Sequence, residues 1–140
     1  MEITINYLAV VASAVSAMVL GFLWYGPIFG KQWRELMGIT PESMQNMKQS
    51  AGKSYAFMAV GSLLLAYVLA VTLGISEVAF GPLEVAMALQ GGFWLWLGFV
   101  ATTQVGVVLW ENKPWKLFFL NTAYSLISIE VMALIIALWR

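Results

Sequence analysis

The chain of 140 residues has no cysteine and no histidine, and charged residues make up only 10% of it. Without thiols or imidazoles it can form no disulfide, thiolate nucleophile, imidazole general base or zinc site of the usual ligand types. We therefore expect no enzyme activity, no metal site and no cofactor. Seven basic residues balance seven acidic ones, so we expect no basic surface that would bind nucleic acid.

Hydrophobic residues, in contrast, are abundant, at 61% of the chain against ~45–50% in soluble domains. Three stretches contain no Asp, Glu, Lys or Arg: residues 3–30, 54–76 and 85–110. A fourth, residues 117–139, contains Glu130 as its one charged residue. Since ~20 apolar residues suffice to cross a bilayer as a helix, each stretch is long enough to span a membrane.

These stretches predict an all-α, polytopic membrane protein with four transmembrane helices in one bundle and a short interfacial helix at the cytoplasmic surface. The whole chain, 1–140, is expected to form a single transmembrane domain. The predicted helices cover about residues 4–25, 55–75, 84–110 and 114–139, and a cytoplasmic connector covers 26–54. Within the connector, Gly38 is expected to end the interfacial helix, and Thr40 followed by Pro41 predicts the start of the next.

The basic residues indicate an orientation. Arg140 lies beyond the fourth predicted helix, whereas the other six lie in the two connections on the opposite side: Lys31, Arg34, Lys48, Lys53, Lys113 and Lys116. By the positive-inside rule these connections face the cytoplasm. We expect a multi-pass protein of the bacterial cell inner membrane with both termini in the periplasm.

Three motifs carry a resemblance to a known family: WYGPIFGKQW at 24–33, GFVATT at 98–103, and the stretch from Pro114 through LNTAYSL at 120–126 to Trp139. In this order they resemble the bacterial membrane family catalogued as domain of unknown function 1761. The resemblance covers essentially the whole chain and implies a small four-helix inner-membrane protein. The family has no established activity, so no catalytic residues are implied. Where it often has an acidic residue, this chain has Asn121.

Glu130 is the first candidate site residue, because it lies close to the middle of the fourth predicted helix. An ionised carboxyl there costs about 3 kcal/mol to insert, so we expect it to be protonated. Counting along the antiparallel third helix gives Trp96 or Gln90 as its hydrogen-bonding partner. Two interpretations remain: a carboxyl that joins helices, or a proton-coupled binding site for a cation or amphipathic amine, as in small four-helix multidrug transporters.

A second polar group is predicted nearer the cytoplasmic side. Asn121 is expected to share its depth with Gln104, with Thr103 and Tyr124 nearby. Such a cluster indicates either hydrogen bonds between helices or a pocket for water or a small ligand.

The two groups lie on opposite faces of the fourth helix, since nine residues at 100° each separate Asn121 from Glu130 by about 180°. Because a single bundle centre cannot receive both, we expect one face to contact a second subunit. The sequence therefore predicts a homo-oligomer, a parallel dimer through the fourth helix.

Two functions follow from these features. The first is a small-ligand or cation transporter or binding protein with a membrane-embedded carboxyl, whose ligand is a small cationic or amphipathic molecule. The alternative is a structural or accessory membrane protein without transport or catalytic activity. In both cases the lipid bilayer is the main environment of the chain.

Overall fold

The computed structural model describes residues 2–140, and its regular elements in that range are helices. We number them α1 (Tyr7–Ile28), α2 (Gly30–Met37), α3 (Pro41–Gln49), α4 (Ala51–Phe80), α5 (Val85–Leu109) and α6 (Trp115–Leu138). α1, α4, α5 and α6 are long and apolar enough to cross a membrane. The predicted all-α fold with four membrane-spanning helices is confirmed.

The helix ends differ from the predicted ones where local caps decide them. α1 begins later than predicted because Asn6 caps it, its Oδ1 accepting from the backbone N–H groups of Leu8 and Ala9 at 3.0 and 3.2 Å. α4 runs from Ala51 to Phe80 and exceeds the predicted 55–75 at both ends, because its helical hydrogen bonds continue beyond the uncharged run. The predicted interfacial helix is α2, and Gly38 ends it with a left-handed φ of 68°.

Two of the spanning helices contain a π-helical turn. In α1 it covers Trp24–Ile28 and accommodates Pro27, so the helix continues beyond its predicted end at residue 25. In α5 it covers Trp96–Ala101. A π turn places an additional residue in one turn of helix and therefore changes which residues face a neighbour further along.

The spanning helices are arranged with α6 in the centre, between α1 and α5, while α4 packs on α1. Small residues allow the close contact of α1 with its neighbours: Ala9, Ser13 and Ala17 are all buried. In membranes such residues permit backbones to approach where lipid gives no hydrophobic drive for association. α5 contacts mainly α6, so much of its surface is exposed.

The two ends of the molecule differ in charge. We call one the basic end, because six basic residues lie there, in the α1–α4 and α5–α6 connections and in the first turns of α4 and α6. At the opposite end Arg140 forms an ion pair with Glu77, and the Asn6 side-chain amide donates to the Trp139 carbonyl at 3.1 Å. These two contacts join the end of α6 to α4 and to the start of α1.

The central position of α6 corrects one inference from the sequence. The opposed polar faces of this helix were expected to require a second subunit, but Asn121 faces α1 and Glu130 faces α5 within one chain. Both faces are therefore covered by neighbouring helices, and the argument from them for a homodimer no longer holds. The dimer itself stays a prediction.

Candidate functional site

Glu130 lies on α6, about 5 Å from the helix midpoint toward the end opposite the basic end. Its Oε1 atom is buried and has no hydrogen-bond partner among the described residues. The oxygen rests against Gly92 of α5, where an added Cβ would lie 2.7 Å from it. Glycine therefore provides the space that the carboxyl occupies. We call this site, formed by Glu130, Gly92, Ile129 and Ala133, the Glu130 notch.

The predicted partners of Glu130 are not the ones found in the structure. Trp96 Nε1 donates instead to the Thr122 carbonyl and to Ser125 Oγ, both at 3.0 Å. Gln90 is exposed and forms no hydrogen bond with Glu130. The count along α5 assumed a uniform helix from the connection onward, whereas the structure places Gly92, four residues before Trp96, beside Glu130. The π turn over Trp96–Ala101 is one departure from that uniform helix.

The notch has the properties of a site for a positive charge. A buried carboxylate oxygen without a donor is costly in a low dielectric, and a cation or a proton lowers that cost. The residue as a whole is half-buried, so part of Glu130 is accessible from outside the protein although its Oε1 atom is buried. The described residues contain no cluster of three or more His, Cys, Asp or Glu that could hold a metal ion.

The second polar group lies around Asn121 and includes Tyr124, which the sequence analysis placed there, and Tyr25, which it did not. Tyr25 of α1 donates its hydroxyl to Asn121 Oδ1 at 2.8 Å, and Tyr124 donates to the Ala17 carbonyl at 2.9 Å. The two tyrosine rings pack edge to face with centroids 5.2 Å apart. An added Cβ on Gly21 would lie 2.9 Å from the Tyr124 hydroxyl, so this glycine lets the ring approach α1.

Two predicted members of this group lie elsewhere. The Thr103 hydroxyl bonds to carbonyls of its own helix, those of Phe99 and Val100 at 3.0 and 2.9 Å, and is exposed. Gln104 has a buried Oε1 without a partner in the described part of the chain and does not bond to Asn121. Gln104 does not meet Asn121 because Asn121 faces α1, where it accepts from Tyr25, whereas Gln104 lies on α5, on the other side of α6.

Two tryptophans attach α1 and α5 to opposite sides of α6 in a similar way. Trp24 Nε1 donates to the Leu120 carbonyl at 3.1 Å, and Trp96 Nε1 donates to that of Thr122. Each tryptophan opens a π turn and is followed two residues later by glycine, at Gly26 and Gly98. The sequence thus contains a Trp-x-Gly pattern at both contacts. This pattern was not used in the sequence analysis.

A groove opens between α4 and α5 in the half of the molecule nearer the basic end, with a volume of about 240 Å³. Its walls are mainly apolar and its floor includes hydroxyl groups; the lining residues are Ala17, Phe57, Met58, Gly61, Ser62, Leu65, Val100, Tyr124, Ser125, Ser128 and Ile129. Glu130 is not among them. The groove and the Glu130 notch therefore adjoin at Ile129, which borders both, but the carboxyl itself lies outside the groove.

Comparisons with known proteins agree with the motifs. Trp24 and Tyr25 of the first motif contact Leu120 and Asn121 of the third, so two segments that carry the family resemblance meet in space. No curated protein and no solved structure gives a significant match. Residues 8–137 match the family described as Protein of unknown function (DUF1761). Because this match covers nearly the whole described chain, the protein belongs to the DUF1761 family.

Proposed function

We propose that this membrane protein binds a small cationic, amphipathic molecule from within the bilayer, with the Glu130 carboxylate as counter-ion. One observation carries the proposal: Glu130 Oε1 is buried against Gly92 without a hydrogen-bond partner. An amphipathic amine or lipophilic cation would supply the missing positive charge, while its apolar part would remain in contact with hydrocarbon. A proton and the ligand would then compete for the same oxygen atoms.

The structural alternative requires a different geometry. A carboxyl that joins helices would donate to or accept from a neighbouring helix, because intramembrane polar groups contribute through such bonds. The bonds that do join α5 to α6 here come from Trp96. Helix packing thus has its own polar contacts, which leaves Glu130 available for a ligand.

Binding of a lipophilic probe tests the proposal. Tetraphenylphosphonium would be titrated into the purified protein in lipid nanodiscs at several pH values, with tryptophan fluorescence and calorimetry as readouts. We expect binding to weaken as pH falls, because protonation removes the counter-ion. Glu130→Gln preserves shape but removes the charge, so we expect an affinity loss of about tenfold or more.

Glu84→Gln is the matched control. Glu84 is an exposed residue at the start of α5 whose side chain makes no capping hydrogen bond, so the same chemical change there should leave binding unaltered. If Glu130→Gln binds the probe as tightly as the original chain, the counter-ion role is wrong and the structural or accessory role is favoured.

The proposal extends to transport if the bound cation also crosses the membrane. In proteoliposomes, a pH gradient should then drive movement of the same probe, and Glu130→Gln should abolish that movement. Binding without movement would define a binding protein rather than a transporter.

We also propose that the basic end faces the cytoplasm of a bacterial cell and that both termini are periplasmic. The asymmetry of six basic residues against Arg140 supports this orientation. A reporter that is active only in the periplasm, fused after Arg140, should be active. Activity of a cytoplasm-specific reporter at the same position would reverse the orientation.

A further inference from the structure

We propose that the groove between α4 and α5 binds an acyl chain of an anionic phospholipid whose headgroup lies at the basic end, against Lys53 and Lys116. The groove shares Ile129 with the Glu130 notch but does not contain Glu130, and the proposal does not depend on the function proposed for the notch. Its ligand class differs as well, since the notch favours a cation and the groove an anionic lipid.

The registers of α4 and α6 place the two lysines at one depth. The helices run in the same direction, and three groove residues on α4 have a groove residue 63 positions later on α6: Gly61 with Tyr124, Ser62 with Ser125, and Leu65 with Ser128. The ion pair of Glu77 with Arg140 has the same separation. Lys53 and Lys116 are also 63 positions apart. Lys53 lies eight residues before Gly61 and Lys116 eight residues before Tyr124, which is about 12 Å closer to the basic end in both helices.

The charges at this end favour an anionic headgroup. Six basic residues lie there with three acidic ones, Glu35, Glu42 and Glu111. At the other end there is one basic residue, Arg140, with three acidic ones, Glu2, Glu77 and Glu84. Basic residues beside grooves between transmembrane helices are a recognised setting for anionic lipid headgroups.

The groove surface suits an acyl chain better than a polar ligand. Tyr124 already donates its hydroxyl to the Ala17 carbonyl, and Ser125 donates to Thr122 and accepts from Trp96. With these groups engaged inside the protein, the groove presents mainly hydrocarbon from Phe57, Met58 and Leu65 on α4. An extended methylene chain can follow this wall from the lysines toward the middle of the membrane.

Filling the groove is the first test. An added Cβ on Gly61 would meet no atom within 4 Å, so Gly61→Leu should fill the groove without disturbing the fold. Gly52→Leu is the matched control, since Gly52 is also on α4 with open space around it but outside the groove. Met58→Trp, at an exposed position on the rim, is a second way to occupy the space if Gly61→Leu does not fold.

Native mass spectrometry would compare phosphatidylglycerol with phosphatidylcholine of identical chains. We expect the original chain to retain the anionic lipid preferentially, and Gly61→Leu to reduce its retention about tenfold, with no change in Gly52→Leu. Lys53→Gln combined with Lys116→Gln should remove the preference for phosphatidylglycerol, whereas Lys31→Gln combined with Lys48→Gln should largely preserve it.

Three results would overturn the proposal. Equal retention of the two lipids by the original chain would exclude recognition of the headgroup. Unchanged retention in both Gly61→Leu and Met58→Trp would show that the lipid binds outside the groove. A dimer that dissociates in Gly61→Leu would show that a second copy of the chain, and not a lipid, covers this surface.

Discussion

The two halves of α4 differ in how closely they pack against the other helices. Ala66 is completely buried and lies in a core shared with α1 and α6, whereas Gly61, five residues earlier, borders an open groove. Toward the basic end α4 carries larger side chains, including Phe57 and Met58, which are 69% and 53% exposed. Close packing thus occurs where small residues face each other, and bulky residues coincide with separation of the helices.

Introducing a leucine into each half of α4 should give the largest difference in the free energy of unfolding. Ala66→Leu introduces a large side chain where no space exists, so we expect about 1–3 kcal/mol of destabilisation. Gly61→Leu extends into the groove and should cost much less. Thermal unfolding of both variants in the same detergent measures the difference, and equal losses would show that the groove is not open.

The attachment of α5 to α6 should depend on one indole group. Trp96→Phe removes the hydrogen bonds to Thr122 and Ser125, and we expect a loss of about 1 kcal/mol in the free energy of unfolding. Trp94→Phe is the control, because Trp94 is 66% exposed. If Trp94→Phe is the more destabilising change in a chemical unfolding experiment, the Trp96 hydrogen bonds are not what attaches α5 to α6.

A smaller effect is expected on the other side of α6. Tyr25→Phe removes the hydroxyl that donates to Asn121, and interhelical hydrogen bonds of this kind average about 0.6 kcal/mol. A double-mutant cycle with Asn121→Ala isolates the interaction, and Tyr55→Phe serves as an exposed control. A coupling free energy of zero between positions 25 and 121 would show that this hydrogen bond does not stabilise the protein.

Much of the fold was predictable because charge-free runs and their caps are local features of the sequence. The four spans, the short helix ending at Gly38 and the Thr40 cap all follow from residue type and spacing. Small residues also recur every four positions on α1: Ala9, Ser13 and Ala17 are buried in the packed interface, and Gly21 lies against Tyr124.

The partners of the polar residues were harder to predict because they depend on register and on helix order. A π turn in α5 changes the count that paired Glu130 with Trp96. The position of α6 between α1 and α5, which no periodicity reveals, explains how Asn121 and Glu130 are both covered in one chain. Glu130 was singled out from the sequence as the one charged residue of the fourth span, and it lies within α6, but its neighbour Gly92 was not foreseen.

The position of Glu130 against Gly92 is the central claim, and a disulfide in this cysteine-free chain tests it most directly. A Cβ on Gly92 would lie 3.4 Å from Ala133 Cβ, close to the separation of about 3.5–4.5 Å found in disulfides. Gly92→Cys with Ala133→Cys should therefore cross-link rapidly within one chain, at any protein dilution. Slow cross-linking of that pair, together with rapid cross-linking of Trp96→Cys with Glu130→Cys, would contradict the register on which the account depends.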